Sequence, residues 1–344
     1  IITLDGNMYK MIIPENVGAM AVRFDFSHKA FFLSGEYAYK GQDPNAVNGY
    51  IYKPGNALLL KASYSVKGLG ISLEAKRIDN MSFKSKRSET GNMLNVNYLP
   101  AITRQHAYSL MAMYNYATQF KGEMGIQANI MNKIKKNTLL GGKDGTELKL
   151  NYSRVHSIDQ QPIVGYALNQ MGTEGYTSNF FKVGDDLYFQ EINFEIGKKI
   201  NRDLKLNLMY SNQIFNPIAF GHPEAENVYA NIFVADATYK ISKKHSVRGE
   251  VQWLLTEQNY GEWATGDWLQ ATAEYNFAGK WFFALSDQWN YGNEVGDKTH
   301  YYSVALGSTY KTTRVSLSYG KQRSGIICIG GVCREVPASN GLFM

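Results

Sequence analysis

Four things are scarce in this 344-residue chain, and each scarcity closes a door. Cysteine occurs only twice, at Cys328 and Cys333, so neither a multi-bridge disulfide scaffold nor a zinc site built from several thiolates is available. Proline occurs eight times, too rarely for a disordered, proline-rich chain, and an aromatic share of 13% argues the same way. Long apolar runs are missing. The longest uncharged stretch, residues 206–223, holds Asn207, Asn212, Asn216, Pro217 and Pro223, which excludes a spanning helix. Charge is sparse at 19%, with 36 basic against 30 acidic side chains, and no basic stripe interleaved with aromatics marks a nucleic-acid surface.

What is abundant is tyrosine (24), glycine (32) and period-2 alternation. Met20, Val22, Phe24 and Phe26 alternate with Ala21, Arg23, Asp25 and Ser27. Leu269, Ala271, Ala273, Tyr275 and Phe277 alternate with Gln270, Thr272, Glu274 and Asn276. Alternation of this kind predicts strands with one apolar and one polar face. About eighteen such segments are expected, near residues 3–13, 17–27, 30–40, 56–66, 69–79, 91–98, 107–116, 122–134, 145–156, 186–200, 204–214, 228–242, 245–257, 266–278, 280–291, 300–311, 313–324 and 336–344. Most are long enough to cross a bilayer at a tilt.

Connections alternate between short turns, such as His28-Lys29 and Lys67-Gly68, and longer loops near 41–55, 80–90, 157–185, 215–227, 258–265, 292–299 and 325–335. This is the arrangement of an outer-membrane barrel, with short periplasmic turns and longer extracellular loops. The expected fold is therefore all-β, one large antiparallel transmembrane β-barrel of about eighteen or more strands spanning residues 1–344. Neither end looks complete: Ile1 is no initiator and 340–344 reads as a strand just begun. Connections 99–106 and 135–144 fall on the short-turn side, where both are long.

With lipid outside, the polar face predicts a lumen lined by Arg23, Asp25, Glu36, Lys61, Glu74, Lys76, Glu147, Lys149, Glu191, Glu195, Lys205, Asp236, Lys240, Arg248, Glu250, Glu274 and Arg314. The signs are mixed, so no selectivity is read from them. Aromatics near strand ends, among them Tyr37, Tyr64, Tyr239, Trp281, Tyr310 and Tyr319, suit an interfacial girdle. Six histidines lie scattered without a Ser or Asp at repeatable spacing, so no enzyme, cofactor or metal site is expected. In Cys328-Ile329-Gly330-Gly331-Val332-Cys333 the Gly-Gly apex lets the chain double back, which predicts a disulfide in an exterior loop; a two-cysteine metal site would need ligands from elsewhere.

The cysteine hairpin within residues 323–339, and residues 92–101 followed by 105–110, resemble an uncharacterised outer-membrane protein family of Bacteroidota. The resemblance covers most of the chain, with the hairpin its most specific part. It implies a barrel in the bacterial outer membrane, longer at the N-terminus and with a final strand after the hairpin. It implies no established activity and carries over no functional residues. Expected surroundings are outer-membrane lipids including lipopolysaccharide, with surface lipoproteins or other outer-membrane subunits as candidate partners. Two roles follow: a porin-like pore for passive solute passage, or a non-transporting barrel that scaffolds partners. The loop 157–185, with Tyr166, Tyr176, Phe180 and Phe181, is a docking surface or a lumen plug in this reading.

Overall fold

The computed structural model describes residues 2–4, 7–89, 94–217, 225–257, 266–329 and 332–343, with backbone alone at 2–4, 7–9, 325–329 and 332–336. Nineteen strands and no α-helix occur among them. Two short hairpins stand apart: β1 (Ile2–Leu4) with β2 (Asn7–Tyr9), and β17 (Gly325–Ile329) with β18 (Val332–Val336). The other fifteen strands form one antiparallel sheet. In chain order they are β3 (Ala19–His28), β4 (Phe31–Lys40), β5 (Gly55–Val66), β6 (Leu69–Asp79), β7 (Gly122–Ile134), β8 (Thr146–Gln161), β9 (Thr177–Lys199) and β10 (Leu204–Phe215). They continue as β11 (Val228–Lys240), β12 (His245–Thr256), β13 (Trp268–Phe277), β14 (Trp281–Trp289), β15 (His300–Tyr310), β16 (Thr313–Gln322) and β19 (Ser339–Phe343). Each pairs with its neighbours in this order; β3 and β19 are the two edges, and no ladder joins them among the described residues.

The sheet is inside-out relative to a water-soluble protein. On β9 and β10, Glu191, Asn193 and Ser211 are 0% exposed, whereas Ile192 is 42% and Phe194 38% exposed. On β12, Gln252 is 0% exposed beside Trp253 at 45%. Two packed sheets in water would hide the isoleucine and tryptophan and expose the glutamate and glutamine. A wall with solvent-like polarity inside and apolar surroundings outside produces the opposite order.

Connections alternate between short turns and longer loops, with the β7–β8 connection, residues 135–145, a long exception on the short side. The short side carries the turns after β3, β5, β7, β9, β11, β13 and β15, and the long side carries those after β4, β6, β8, β10, β12, β14 and β16. Two expected strands, 91–98 and 107–116, do not form among the described residues. Residues 80–121 are instead one long connection on the long side, which removes the connection expected at 99–106; the one expected at 135–144 stays and is long for the short-turn side. The segment at 3–13 yields only β1 and β2, outside the main sheet, so that sheet holds fifteen strands rather than the expected eighteen or more. About half of the loop 157–185 is strand, because β8 and β9 extend to Gln161 and back to Thr177, with register shifts beyond Val155 that re-aim the hairpin tip.

Candidate functional site

The connection between β6 and β7 positions the site. Its ends are tied by backbone bonds from Asn80 N to the Lys121 carbonyl (3.0 Å) and from Met81 N to the Phe120 carbonyl (2.8 Å), so the chain between them is a closed excursion. That excursion folds across the concave face of the sheet. Leu110 is 0%, Met111 1%, Tyr114 3% and Tyr116 2% exposed. They pack on an apolar patch of the inner wall that includes Phe215, Val228, Ile232, Leu254 and Trp268. Tyr116 stacks on Phe189 with ring centroids 5.6 Å apart, and Tyr114 leans on Phe215 at 5.8 Å. Burying each large apolar side chain contributes about 1.5–3 kcal/mol, so these four dominate the docking.

At the root, the Lys76 ammonium on β6 meets the Glu123 carboxylate on β7 at 2.5 Å, with both side chains 0% exposed. Lys76 also donates to the Pro100 carbonyl (2.6 Å) and to Thr118 Oγ1 (3.1 Å), while Glu123 accepts from the Tyr116 hydroxyl (2.5 Å) and Gln119 N (2.6 Å). The middle of the excursion, at Pro100, and its C-terminal end, at residues 116–119, are thus gathered on one buried ion pair. Burial, and then the neighbouring Glu123 charge, push the Tyr116 hydroxyl well above the usual tyrosine range, which keeps it neutral and donating.

Further in, the excursion is hydrogen-bonded to strand after strand. Arg104 reaches Asn193 and Glu195 on β9, and His106 Nε2 meets Glu191 Oε1 at 2.6 Å. Gln213 of β10 donates to the Met111 carbonyl (3.0 Å), and the Tyr108 hydroxyl donates to Asp236 of β11 (3.0 Å). Leu110 N donates to Gln252 of β12 (2.9 Å); Ser109 binds Gln270 of β13 and accepts from Gln288 of β14 (2.8 Å). One short segment touching inner-face residues from β6 round to β14 requires that the sheet curl around it. The wall is a curled sheet partly filled by its own loop.

Among the cavities that border the excursion, two lie beside residues 104–109. One, of about 370 Å³, runs from Lys149 and Glu195 past Gln270 and Gln288 to Lys321 and Arg323 at the long-loop end of β16. The other, of about 460 Å³, opens at the short-turn end between residues 133–149, Lys198, Lys199 and Lys205. They share Tyr108, Lys149, Glu195 and Asn207 and so adjoin. A third cleft of about 360 Å³ lies between β3–β6 and residues 100–102.

The residues expected along the lumen fall into distinct clusters. Arg23 pairs with Glu36 (2.5 Å) and Lys61 with Glu74 (2.8 Å), and all four line the third cleft with Asp25. Lys76 takes Glu123. Lys149 bridges Glu147 (3.0 Å) and Glu195 (3.2 Å). Glu191 is held by His106, by Ser211 (2.6 Å) and by Gln213 (3.2 Å). Arg248 gathers Asp236 (2.9 Å), Glu250 and Glu274 (3.1 Å). Lys205 lines the short-turn cavity, Arg314 lies over the Phe282 ring at 4.6 Å, and Lys240 ends β11 exposed.

Sequence reasoning missed Glu123, Arg104, His106 and the glutamine row at 213, 252, 270 and 288. It also missed that Val228, Ala230, Ile232 and Val234 sit on the buried face of β11. The available signal was the absence of any charged residue from 107 to 120. The hairpin tip at 162–176 is not the segment that fills the barrel. Tyr176 is buried against Ile51 and Ile158, with its hydroxyl donating to Asp79 (2.6 Å), and Tyr52 N donates to the Thr173 carbonyl (2.7 Å). Cys328 faces Cys333 across the β17–β18 ladder. Their side chains, and hence the expected disulfide, lie outside the described residues.

Residues 4–344 match a family of unknown function, DUF6029. No curated protein matches. Among solved structures the chain is similar to an engineered mutant of the Rhodopseudomonas blastica porin, at 14% identity and TM-score 0.37 over 90% of this chain and 85% of that one. It is also similar to the ferric enterobactin receptor PfeA, at 11% identity and TM-score 0.41 over 89% of this chain and 53% of the receptor.

Proposed function

The chain belongs to DUF6029, a family of unknown function, and from its geometry we propose that it is a bacterial outer-membrane β-barrel carrying a narrow, porin-like passage for small solutes. Support for the membrane comes from the inverted burial. Apolar outward residues such as Leu73 (55% exposed), Val251 (49%) and Leu306 (50%) would otherwise lie against water along the wall. Lipid, including lipopolysaccharide in the outer leaflet, is their natural environment. Outward aromatics near strand ends, Trp281 (51%), Tyr310 (66%) and Tyr319 (53%) among them, suit the headgroup zone.

The observation that carries the passage is the pair of adjoining polar cavities left beside the infolded excursion, reaching from the short turns to the long-loop end of β16. An apolar plug filling the whole barrel would leave no such hydrated route. The lining is side chains that hold one another by ion pairs and hydrogen bonds, a wall for water and small polar solutes without a chemical step. Planar-bilayer recording of the purified chain tests this: discrete conductance steps are expected. A silent membrane, with a stoichiometric protein retained after gentle detergent extraction, would favour the scaffolding role instead.

A further inference from the structure

We infer that the passage prefers anions, because its lining carries an excess of positive charge that is concentrated in lysines at the short-turn mouth. This rests on the proposed passage and names the solute class it admits. Ten Lys and Arg side chains line the two adjoining cavities against six Asp and Glu, an excess of four positive charges. The distribution matters more than the count. In the middle every carboxylate is engaged: Glu195 by Arg104 and Lys149, and Asp236, Glu250 and Glu274 by Arg248. Arg248 alone faces three carboxylates, so this middle cluster is net negative and the positive excess lies towards the two ends.

At the short-turn mouth the balance changes. Lys133 stands opposite Glu147 in the β7–β8 ladder, but that carboxylate pairs with Lys149 at 3.0 Å. Asp144 lies 4.0 Å from Lys199. Lys133, Lys136 and Lys205 line the cavity and form no ion pair among the described residues. Lys205 also sits directly across the β9–β10 ladder from Lys199. Like charges directly opposite on a sheet repel and weaken the pairing, so this arrangement is not one that strand stability selects. A mouth of unbalanced cations concentrates small anions at the entrance and repels cations, and it outweighs the acidic cluster further in, because the lining as a whole keeps its excess of four positive charges. Inorganic and carboxylated or phosphorylated solutes small enough for the cavities share that chemistry.

The test is the reversal potential of the purified chain in a neutral phosphatidylcholine bilayer under a KCl gradient, where no anionic headgroup competes for the lysines. Chloride is expected to permeate about threefold better than potassium, the order of effect for a few partly screened charges at contact distances in water. Lys133→Gln, Lys136→Gln and Lys205→Gln together should bring the ratio close to one without abolishing conductance. Lys280→Gln with Lys311→Gln, two turn charges that line neither cavity, should leave it unchanged. Cation preference, or a ratio indifferent to the triple substitution, overturns the inference while leaving the passage standing. Absence of any conductance overturns the passage itself and the selectivity with it.

Discussion

Replacing Leu110 and Met111 together by aspartate should release the infolded excursion while leaving the wall intact. Both side chains are buried, at 0% and 1% exposure, within the apolar cluster on the inner wall. At about 1.5–3 kcal/mol each, their burial contributes about 3–6 kcal/mol to docking. Aspartates at the same positions forfeit that and add the cost of two carboxylates in an apolar site, several kcal/mol more unless they return to water. Against this stand the polar ties of residues 104–111, worth about 0.5–1.5 kcal/mol apiece and somewhat more where a charge takes part. Loss of even about 4 kcal/mol moves an opening equilibrium roughly a thousandfold. The wall ladders do not involve residues 110 and 111, and the closing bonds at Asn80 and Lys121 remain. Trypsin reads the outcome at Arg104, which the native contacts with Asn193 and Glu195 hold against β9. The wild type should resist cleavage there and the double variant should be cut, with larger conductance steps and unchanged heat-modifiable mobility of the barrel. Equal protection of Arg104 and equal conductance in the two proteins would refute the reasoning that apolar burial holds the excursion in place.

Two further outcomes are expected. Lys76→Met leaves the Glu123 carboxylate buried without its cation and should cost about 3–5 kcal/mol, whereas adding Glu123→Leu should recover part of that loss. Denaturant unfolding in detergent micelles of the two singles and the double reads it, and strictly additive losses would show that the pair is not coupled. Cys328 and Cys333, opposite one another on β17 and β18, should resist alkylation until a reductant is added; labelling of both thiols in untreated protein would rule out a bond between them.

The wall was legible in the sequence because each of its strands separates two environments. The segments read at 69–79 and 122–134 coincide with β6 and β7 to the residue. An outward Leu73 or Ile126 beside an inward Glu74 or Gln127 is written directly as alternation. The excursion between those strands was misread for the same reason. Residues 110–114, Leu-Met-Ala-Met-Tyr, are apolar without a break, and alternation needs a polar face that a segment enclosed by protein does not have. Its docking patch was obscured in turn. Val228, Ile232 and Val234 occupy the face of β11 that carries Asp236 lower down, because the loop and not water covers them. Pairings such as Lys76 with Glu123 depend on which strands become neighbours across a 42-residue connection, which local pattern does not encode.

Single-channel recording of the purified chain in a neutral planar bilayer bears most directly on a barrel narrowed, but not closed, by its own β6–β7 connection. Small, resolved conductance steps that grow when Leu110 and Met111 become aspartate are the expected result. A membrane that stays silent with both proteins would contradict a passage beside the excursion.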